Sequence, residues 1–313
     1  MRAATIVDGK LRIQDHPDPE PGSGEVLVRV RGAGLNGADM LQLAGGYPAP
    51  AGSPADIPGL ELAGEVVGLG PGASRFAVGD RVMGIVGGGA QAELCTVHER
   101  QLMPVPDALD WAEAGGVPEA FTTAHDAIFT QGALRPGERL LVHGAAGGVG
   151  SAGVQLGAMA GARVTATVRN PDARDAVEEL GADRAIDPTG FEEHGPFDVV
   201  LELVGAPNIA ANLKALETGG RIVVIGVGGG FKADVNLLAL MGKRATLRGS
   251  TLRARPLEEK ALTARRMEAE VLPHFEDGLL TVPIAATFPL DEAAEGYERF
   301  KAGSKLGKIV VVP

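Results

Sequence analysis

From Arg139 to Gly150 the chain reads Arg-Leu-Leu-Val-His-Gly-Ala-Ala-Gly-Gly-Val-Gly, an apolar run opening into a glycine-rich loop. The spacing Ala145-x-Gly147-x-x-Gly150 suits the binding of a dinucleotide's phosphates when it sits between a strand and a helix. Each small residue has a task. Ala145 permits the tight turn, Gly147 lets the backbone approach a pyrophosphate, and Gly150 brings helix and sheet together. The helix start, with Ala146, Gly148 and Val149 in the loop, offers free N–H groups to phosphate oxygens.

The next chemical signal lies about twenty residues on. A cofactor with a free ribose 2′-hydroxyl is usually met by Asp or Glu at the end of the second strand. Here that strand ends Thr167-Val168-Arg169-Asn170, with no acid. A guanidinium attracts a 2′-phosphate that a carboxylate would repel. Arg169, with Arg174 in support, therefore points to NADPH, with NADH as the alternative; Arg169 as a merely solvated strand-end charge is the competing reading.

These residues need a frame. Glu25 to Arg31 alternates with the period of a half-buried strand, and Glu65-Val66-Val67 and Arg81-Val82-Met83 are similar, bounded by turns such as Pro71-Gly72 and Gly79-Asp80. Short strands so closely spaced predict an antiparallel, barrel-like unit. After about Val117 the rhythm changes. Strands at 139–143, 163–168, 197–201 and 221–225 alternate with helices at 148–160, 171–180 and 208–216, which predicts a parallel sheet covered on both faces. A charged helix from Pro256 to about Asp277, a strand near Thr287, a helix from Asp291 and a strand at 308–312 follow. The expected fold class is α/β. The expected domains are 118–262, dinucleotide-binding, and 1–117 with 263–313, substrate-binding.

Composition narrows the function classes. The 313 residues carry 29 Lys+Arg against 40 Asp+Glu, a net charge of −11, which disfavours nucleic acid as a partner. Cys95 is the one cysteine, so neither a disulfide framework nor a cysteine zinc cluster is expected. The N-terminus has no apolar core of a signal peptide, and a cytoplasmic location is expected. Leu140 to Ala162 lacks Asp, Glu, Lys and Arg, but its seven glycines read as strand and helix rather than a membrane span.

Further segments carry a family resemblance. Leu35-Asn36-Gly37-Ala38-Asp39, Gly46-Tyr47-Pro48, Pro58 to Gly64, Val78 to Val82, Ala145 to Gly150 and Gly307 to Val310 resemble the medium-chain dehydrogenase/reductases. Gly249 to Arg255 is most similar to their zinc-free quinone oxidoreductase branch; the zeta-crystallin type is more distant. The resemblance covers nearly the whole chain. It implies a GroES-like antiparallel β-barrel domain, a Rossmann-type doubly wound parallel sheet, NADPH in the cleft between them, and a homodimer.

The same resemblance assigns site residues. Asn36 and Asp39 lie beside the nicotinamide, Asn36 orienting a ligand or capping a turn, Asp39 capping a helix from Met40. Tyr47 stacks on a quinone, donates a proton, or only packs its loop. Thr123 lies near the nicotinamide. Gly205, Gly226, Val227, Ser250, Thr251 and Leu252 line the cofactor at strand ends. Lys308 reaches cofactor or substrate, or is merely solvated. Zinc-dependent relatives place a Cys where Asn36-Gly37 stands and a His where Leu60 stands. Leucine has no lone pair for a metal, so no zinc is expected.

Without a Lewis acid, alcohol oxidation loses its usual driver. NADPH-dependent reduction of quinones or similar electron-poor conjugated carbonyls is the expected activity. The alternatives are an enone or enoyl-thioester reductase and, in a different class, a nucleic-acid-binding protein of the zeta-crystallin kind. The last rests on eight Lys/Arg between Lys243 and Arg266. Tyr297-x-x-x-Lys301 imitates a short-chain dehydrogenase motif, but a charged C-terminal helix is the better reading.

Overall fold

A computed structural model describes every residue from Met1 to Pro313. The chain forms two compact units. The first comprises Met1–Thr122, Leu252–Gly303 and Lys308–Pro313; the second comprises Thr123–Thr251 and Ser304–Gly307.

The first unit opens with a hairpin of β1 (Arg2–Val7) and β2 (Lys10–Asp15). Its two-residue turn, Asp8-Gly9, has φ of 49° and 71°. That is the primed-turn geometry that Asp-Gly favours, because it matches the twist of the flanking strands. Next come β3 (Glu25–Gly34), α1 (Gly37–Leu43), β4 (Glu61–Leu69), β5 (Arg81–Ile85), β6 (Leu94–His98) and β7 (Leu102–Pro104). The helices α2 (Trp111–Gly116) and α3 (Pro118–His125) follow, and the boundary between units falls inside α3.

The second unit alternates: β8 (Arg139–Val142), α4 (Gly148–Met159), β9 (Arg163–Thr167), α5 (Arg174–Glu179), β10 (Arg184–Ile186), β11 (Phe197–Glu202), α6 (Ile209–Ala215), β12 (Leu216–Val224), α7 (Leu237–Gly242) and β13 (Thr246–Gly249). The chain then returns to the first unit with α8 (Leu257–Glu270), α9 (Pro273–Glu276), β14 (Ile284–Pro289), α10 (Ala293–Ala302) and β15 (Lys308–Val312).

In the first unit β3 is central. It pairs antiparallel with β4, β6 and β15, within a seven-stranded sheet ordered β14-β15-β3-β4-β5-β7, β6 lying beside β3. The alternation in β3 points Val26, Val28 and Val30 inward, where they pack with Leu62, Val66, Val82, Val97 and Leu102. A second cluster joins Leu35, Leu290, Tyr297, Ile309 and Val311. This ties the returning C-terminal segment to the N-terminal strands.

The second unit is a six-stranded, all-parallel sheet ordered β10-β9-β8-β11-β12-β13. The order reverses between β8 and β11, and ligands of such sheets bind outside the strand ends at that reversal. The fold is the expected α/β class, a Rossmann-type sheet with a GroES-like unit.

The expected charged helix to Asp277 divides into α8 and α9, with Pro273 opening the second helix, since proline cannot continue the first. The uncharged stretch from Leu140 is strand, loop and helix, and no helix is long and apolar enough to cross a membrane. Tyr297 is 1% exposed and donates to Gln91 Oε1 at 3.0 Å, while Lys301 pairs with Glu298 on the surface. The imitation motif is helix packing and a surface ion pair.

Candidate active site

The glycine loop occupies the end of β8. Gly144 has φ of +60°, and the N–H of Ala145 donates to Thr167 O at 3.2 Å, fixing the loop against β9. Gly147 is the N-cap of α4, its carbonyl accepting from Ser151 N at 2.8 Å. The N–H groups of the first turn thus face outward, with no acidic residue in that turn to compete for them. A Cβ on Gly150 would lie 2.6 Å from Ala145 Cα, and one on Gly153 2.7 Å from Leu201 Cδ2. Both glycines therefore let α4 lie directly on the sheet. A Cβ on Gly147 would meet only Gly144 O, at 3.3 Å, so the space above the helix start is open. These residues fit a pyrophosphate.

Beneath the loop lies a polar network that sequence reading missed. His143 is fully buried; its Nδ1 is 3.0 Å from Thr167 Oγ1 and its Nε2 is 2.7 Å from Asn212 Oδ1. Asn212 Nδ2 donates to Glu202 Oε2 at 2.6 Å, which leaves Asn212 Oδ1 as an acceptor. His143 is therefore the Nε2–H tautomer, and Nδ1 accepts from Thr167. Burial pushes its pKa down, which keeps the ring neutral. Glu202 Oε1 accepts from Val204 N at 2.6 Å and Gly205 N at 2.8 Å. One network thus holds the turns after β8 and β11 at the point of strand reversal. The available signal was two polar residues, His143 and Glu202, each ending an apolar strand.

The other residues expected at the cofactor are distributed as follows. Gly205 has φ of +106°, and a Cβ on Gly226 would collide with Leu203 O, so both turns require glycine. Val227 is 38% exposed. Ser250 Oγ donates to Asp126 Oδ2 at 3.2 Å, and Thr251 is exposed. Leu252 is buried in the first unit. Arg169 is exposed beyond β9, and no acidic side chain pairs with it. Arg174 instead donates to Asp187 Oδ2 at 2.8 Å and to Val168 O at 3.3 Å. Thr123 is buried within α3.

The first unit gathers Asn36, Asp39, Glu61 and Lys308 into one buried cluster. Lys308 is 3% exposed, and its ammonium donates to Glu61 Oε1 at 2.5 Å, Asn36 Oδ1 at 2.8 Å and Leu35 O at 3.0 Å. Asn36 Nδ2 donates to Glu61 Oε1 at 2.9 Å and Gly34 O at 3.2 Å. Glu119 N donates to Glu61 Oε2 at 2.7 Å. The amide of Asn36 is thus held at both ends by the protein, and Lys308 is not solvated. Helix α1 starts at Gly37 with Asn36 as N-cap, not at Met40. Asp39 occupies its third position and accepts from Asn36 N at 2.8 Å and Gly59 N at 3.1 Å. Complete burial raises its pKa from 3.8 to about 7.

Tyr47 is half-buried, and its ring lies 5.1 Å from the guanidinium of Arg253. Arg253, 2% exposed, donates to Gly87 O at 2.8 Å, Tyr47 O at 3.3 Å and Gln42 Oε1 at 2.6 Å. It ties the Tyr47 loop to the barrel. Nothing in the local pattern marks Arg253 among its basic neighbours. Within the basic segment from Lys243 to Arg266, Arg253 is buried and Arg265 is paired with Glu268, so these two charges are not free on the surface.

Comparison with known proteins bears on this arrangement. Residues 22–107 match the family described as alcohol dehydrogenase GroES-like domain, and residues 148–268 the one described as zinc-binding dehydrogenase. Quinone oxidoreductase of Rattus norvegicus is 30% identical over 307 residues, covering 94% of this chain and 91% of its own length. The chain belongs to the medium-chain dehydrogenase/reductase family. It is an oxidoreductase of that family, whose members use NAD(P)H. Polyketide synthase GfsB of Streptomyces halstedii is 37% identical over 293 residues, which cover 92% of this chain but 5% of the synthase. A crystal structure of an NAD-dependent alcohol dehydrogenase superposes with a TM-score of 0.89 at 28% identity, covering 100% of both chains.

The word zinc in one family description invites a test on donor chemistry. Leu60 is a buried hydrocarbon, and the oxygen of Asn36 already accepts from an ammonium ion. No group of three or more His, Cys, Asp or Glu is placed to hold a metal. A catalytic zinc needs several nitrogen, sulfur or carboxylate ligands around one point. The residues present do not fit it.

Proposed function

We propose that this oxidoreductase is a zinc-independent, NADPH-dependent reductase of quinones or similar electron-poor conjugated carbonyl compounds. The observation that carries the reading is the Asn36–Glu61–Lys308 cluster. By resemblance, zinc-dependent relatives place metal ligands at Asn36-Gly37 and Leu60. Here a lysine ammonium is bonded into Asn36, and Leu60 offers no donor. With no Lewis acid to acidify an alcohol, the favoured substrate already spreads incoming negative charge over conjugated oxygen.

When bound, the cofactor supplies the hydride. The chain's part is binding and positioning. The N–H groups at the start of α4 hold the pyrophosphate, Gly205 and Gly226 permit the tight turns after β11 and β12, and the His143–Glu202 network keeps the turns after β8 and β11 in place. Arg169 receives the 2′-phosphate. Asn36, locked by Lys308 and Glu61, presents a fixed surface rather than a movable amide, and Arg253 orders the Tyr47 loop.

A second reading is reduction of enones or enoyl thioesters. It is favoured by the 37% identity with a segment of a polyketide synthase. Both readings share cofactor and hydride step, so rates with 1,2- and 1,4-quinones against enones decide between them. The cofactor assignment has its own test. Arg169→Ala should weaken NADPH about tenfold or more while leaving NADH nearly unchanged, as expected for a charge-assisted contact. Equal losses for the two cofactors would refute it.

A further inference from the structure

Glu202 closes the network beneath the glycine loop, and it brings a charge into it. The side chain has no exposed surface, and both its oxygens face N–H groups. Oε1 accepts from Val204 N at 2.6 Å, Gly205 N at 2.8 Å and Asn208 Nδ2 at 3.3 Å. Oε2 accepts from Asn212 Nδ2 at 2.6 Å. Ringed by donors, the group is a carboxylate, since a protonated acid would need an acceptor. No lysine or arginine lies within ion-pair distance. The one basic neighbour is His143, 3.7 Å away, and burial keeps that ring neutral.

A buried carboxylate without a cation is costly. Holding the turns does not require one. A glutamine would offer its oxygen to the donors that Oε1 now serves. Asn212, turned over, would accept from the glutamine amide and donate to His143 Nε2; the imidazole proton would then sit on Nδ1 and bond to Thr167 Oγ1. Every bond of the network survives without the charge, so the turns alone do not account for it.

Which half of a dinucleotide this charge meets follows from the strand order. In the sheet β8 is flanked by β9 and β11. On the cofactor reading above, the pyrophosphate lies at the loop after β8 and the adenosine ribose at the end of β9. The other half then runs the opposite way, toward the end of β11, the position that Glu202 occupies. That half carries the nicotinamide, which is neutral when reduced and positively charged when oxidised. A fixed anion at the strand end stabilises the charged ring and does little for the neutral one.

We propose that the buried carboxylate of Glu202 favours the oxidised nicotinamide over the reduced one and so makes the bound cofactor a stronger hydride donor. The hydride takes one proton and two electrons from the ring to the conjugated acceptor. It leaves a cation on the ring and an anion on the acceptor oxygen, which a proton from water neutralises. The inference rests on the cofactor reading but not on Arg169, because NADPH and NADH share the nicotinamide half.

Calorimetric titration of the full chain with NADPH and with NADP⁺ reads this preference without turnover. At an effective dielectric of about 20, charges roughly 10 Å apart interact by about the equivalent of a tenfold change in binding. Glu202→Gln should therefore lower the ratio Kd(NADPH)/Kd(NADP⁺) about tenfold, by weakening NADP⁺. Glu202→Asp keeps the charge but shortens its reach; it should weaken both forms and hold the ratio within about twofold. Asn208 is only half-buried, so Asn208→Lys brings an ammonium to Glu202 at little risk to the fold. It should lower the ratio as glutamine does, and it decides the matter if Glu202→Gln does not fold. An unchanged ratio in Asn208→Lys and in folded Glu202→Gln would overturn the inference and leave Glu202 a holder of turns. A shift in Glu202→Asp as large as in Glu202→Gln would overturn it too. A wild type that binds neither NADPH nor NADH, in either oxidation state, would overturn the cofactor reading and this inference with it.

Discussion

Replacing Lys308 by Met tests the cluster that distinguishes this chain from its metal-dependent relatives. The substitution keeps the length of a stem that packs near Gly116, where an added Cβ would lie 3.1 Å from Lys308 Cγ. It removes only the ammonium. Glu61, with no exposed surface, then keeps the donors from Asn36 and Glu119 but loses its one counter-charge. Breaking a buried pair from one side costs about 3–5 kcal/mol, because the remaining charge is stranded away from water. Against a typical total of about 5–15 kcal/mol, that is a large share of the stability. Glu61→Gln added to Lys308→Met removes the stranded charge and should recover about 2 kcal/mol or more. Trp111, the one tryptophan, lies in α2 of the same unit, so its fluorescence during urea unfolding reports on this part of the chain. A loss below about 1 kcal/mol in Lys308→Met, the size of an exposed pair, would refute the reasoning. So would a double variant whose cost is simply the sum of the singles.

Other outcomes follow from the same geometry. Gly150→Val should abolish cofactor binding and destabilise the second unit, because its Cβ would lie 2.6 Å from Ala145 Cα; retained NADPH fluorescence enhancement would contradict this. Asp39 is raised from 3.8 to about 7, so between those values the folded chain holds a proton that the unfolded chain has lost, and stability falls as pH rises. At about 1.36 kcal/mol per pH unit the fall approaches 4 kcal/mol across the window. Asp39→Asn should flatten that slope in denaturation curves from pH 4 to 8, whereas parallel curves would remove the burial argument. Strand β13 pairs only with β12, and nearby α7 exposes Leu237, Leu238 and Met241 at 66%, 78% and 71%. An open edge beside an apolar patch suits a second copy of the chain, in keeping with the expected homodimer. Light scattering should find a dimer that Leu238→Glu with Met241→Glu converts to monomer; a wild-type monomer would refute it.

Patterns whose physics is local were legible in the chain itself. The run Leu140-Leu141-Val142 followed by Ala145-x-Gly147-x-x-Gly150 announced a strand, a tight glycine loop and a helix, because a tight turn and close packing both require small residues at fixed spacing. The alternation of Val26, Val28 and Val30 announced a half-buried strand, since side-chain direction in a strand follows from position alone. Short elements such as β10 and β13 were not legible. Their three and four residues carry too little pattern and are strands because the neighbouring strand supplies the hydrogen bonds.

What only the tertiary structure decided is which charges lose their water. Lys308 opens a terminal strand and looks like a solvated cation, yet it is buried against Glu61, 247 positions earlier in the chain. Arg253 and Lys260 stand in one basic run, but the first is tied to three carbonyl-type oxygens and the second borders a pocket. Asp39 reads as a cap and becomes a carboxyl that titrates near neutrality. The energy of a charge depends on the dielectric and partners around it, and those come from segments hundreds of residues apart. Residue types and spacing therefore set the elements and the glycine loop, while burial set the chemistry of the ionisable groups.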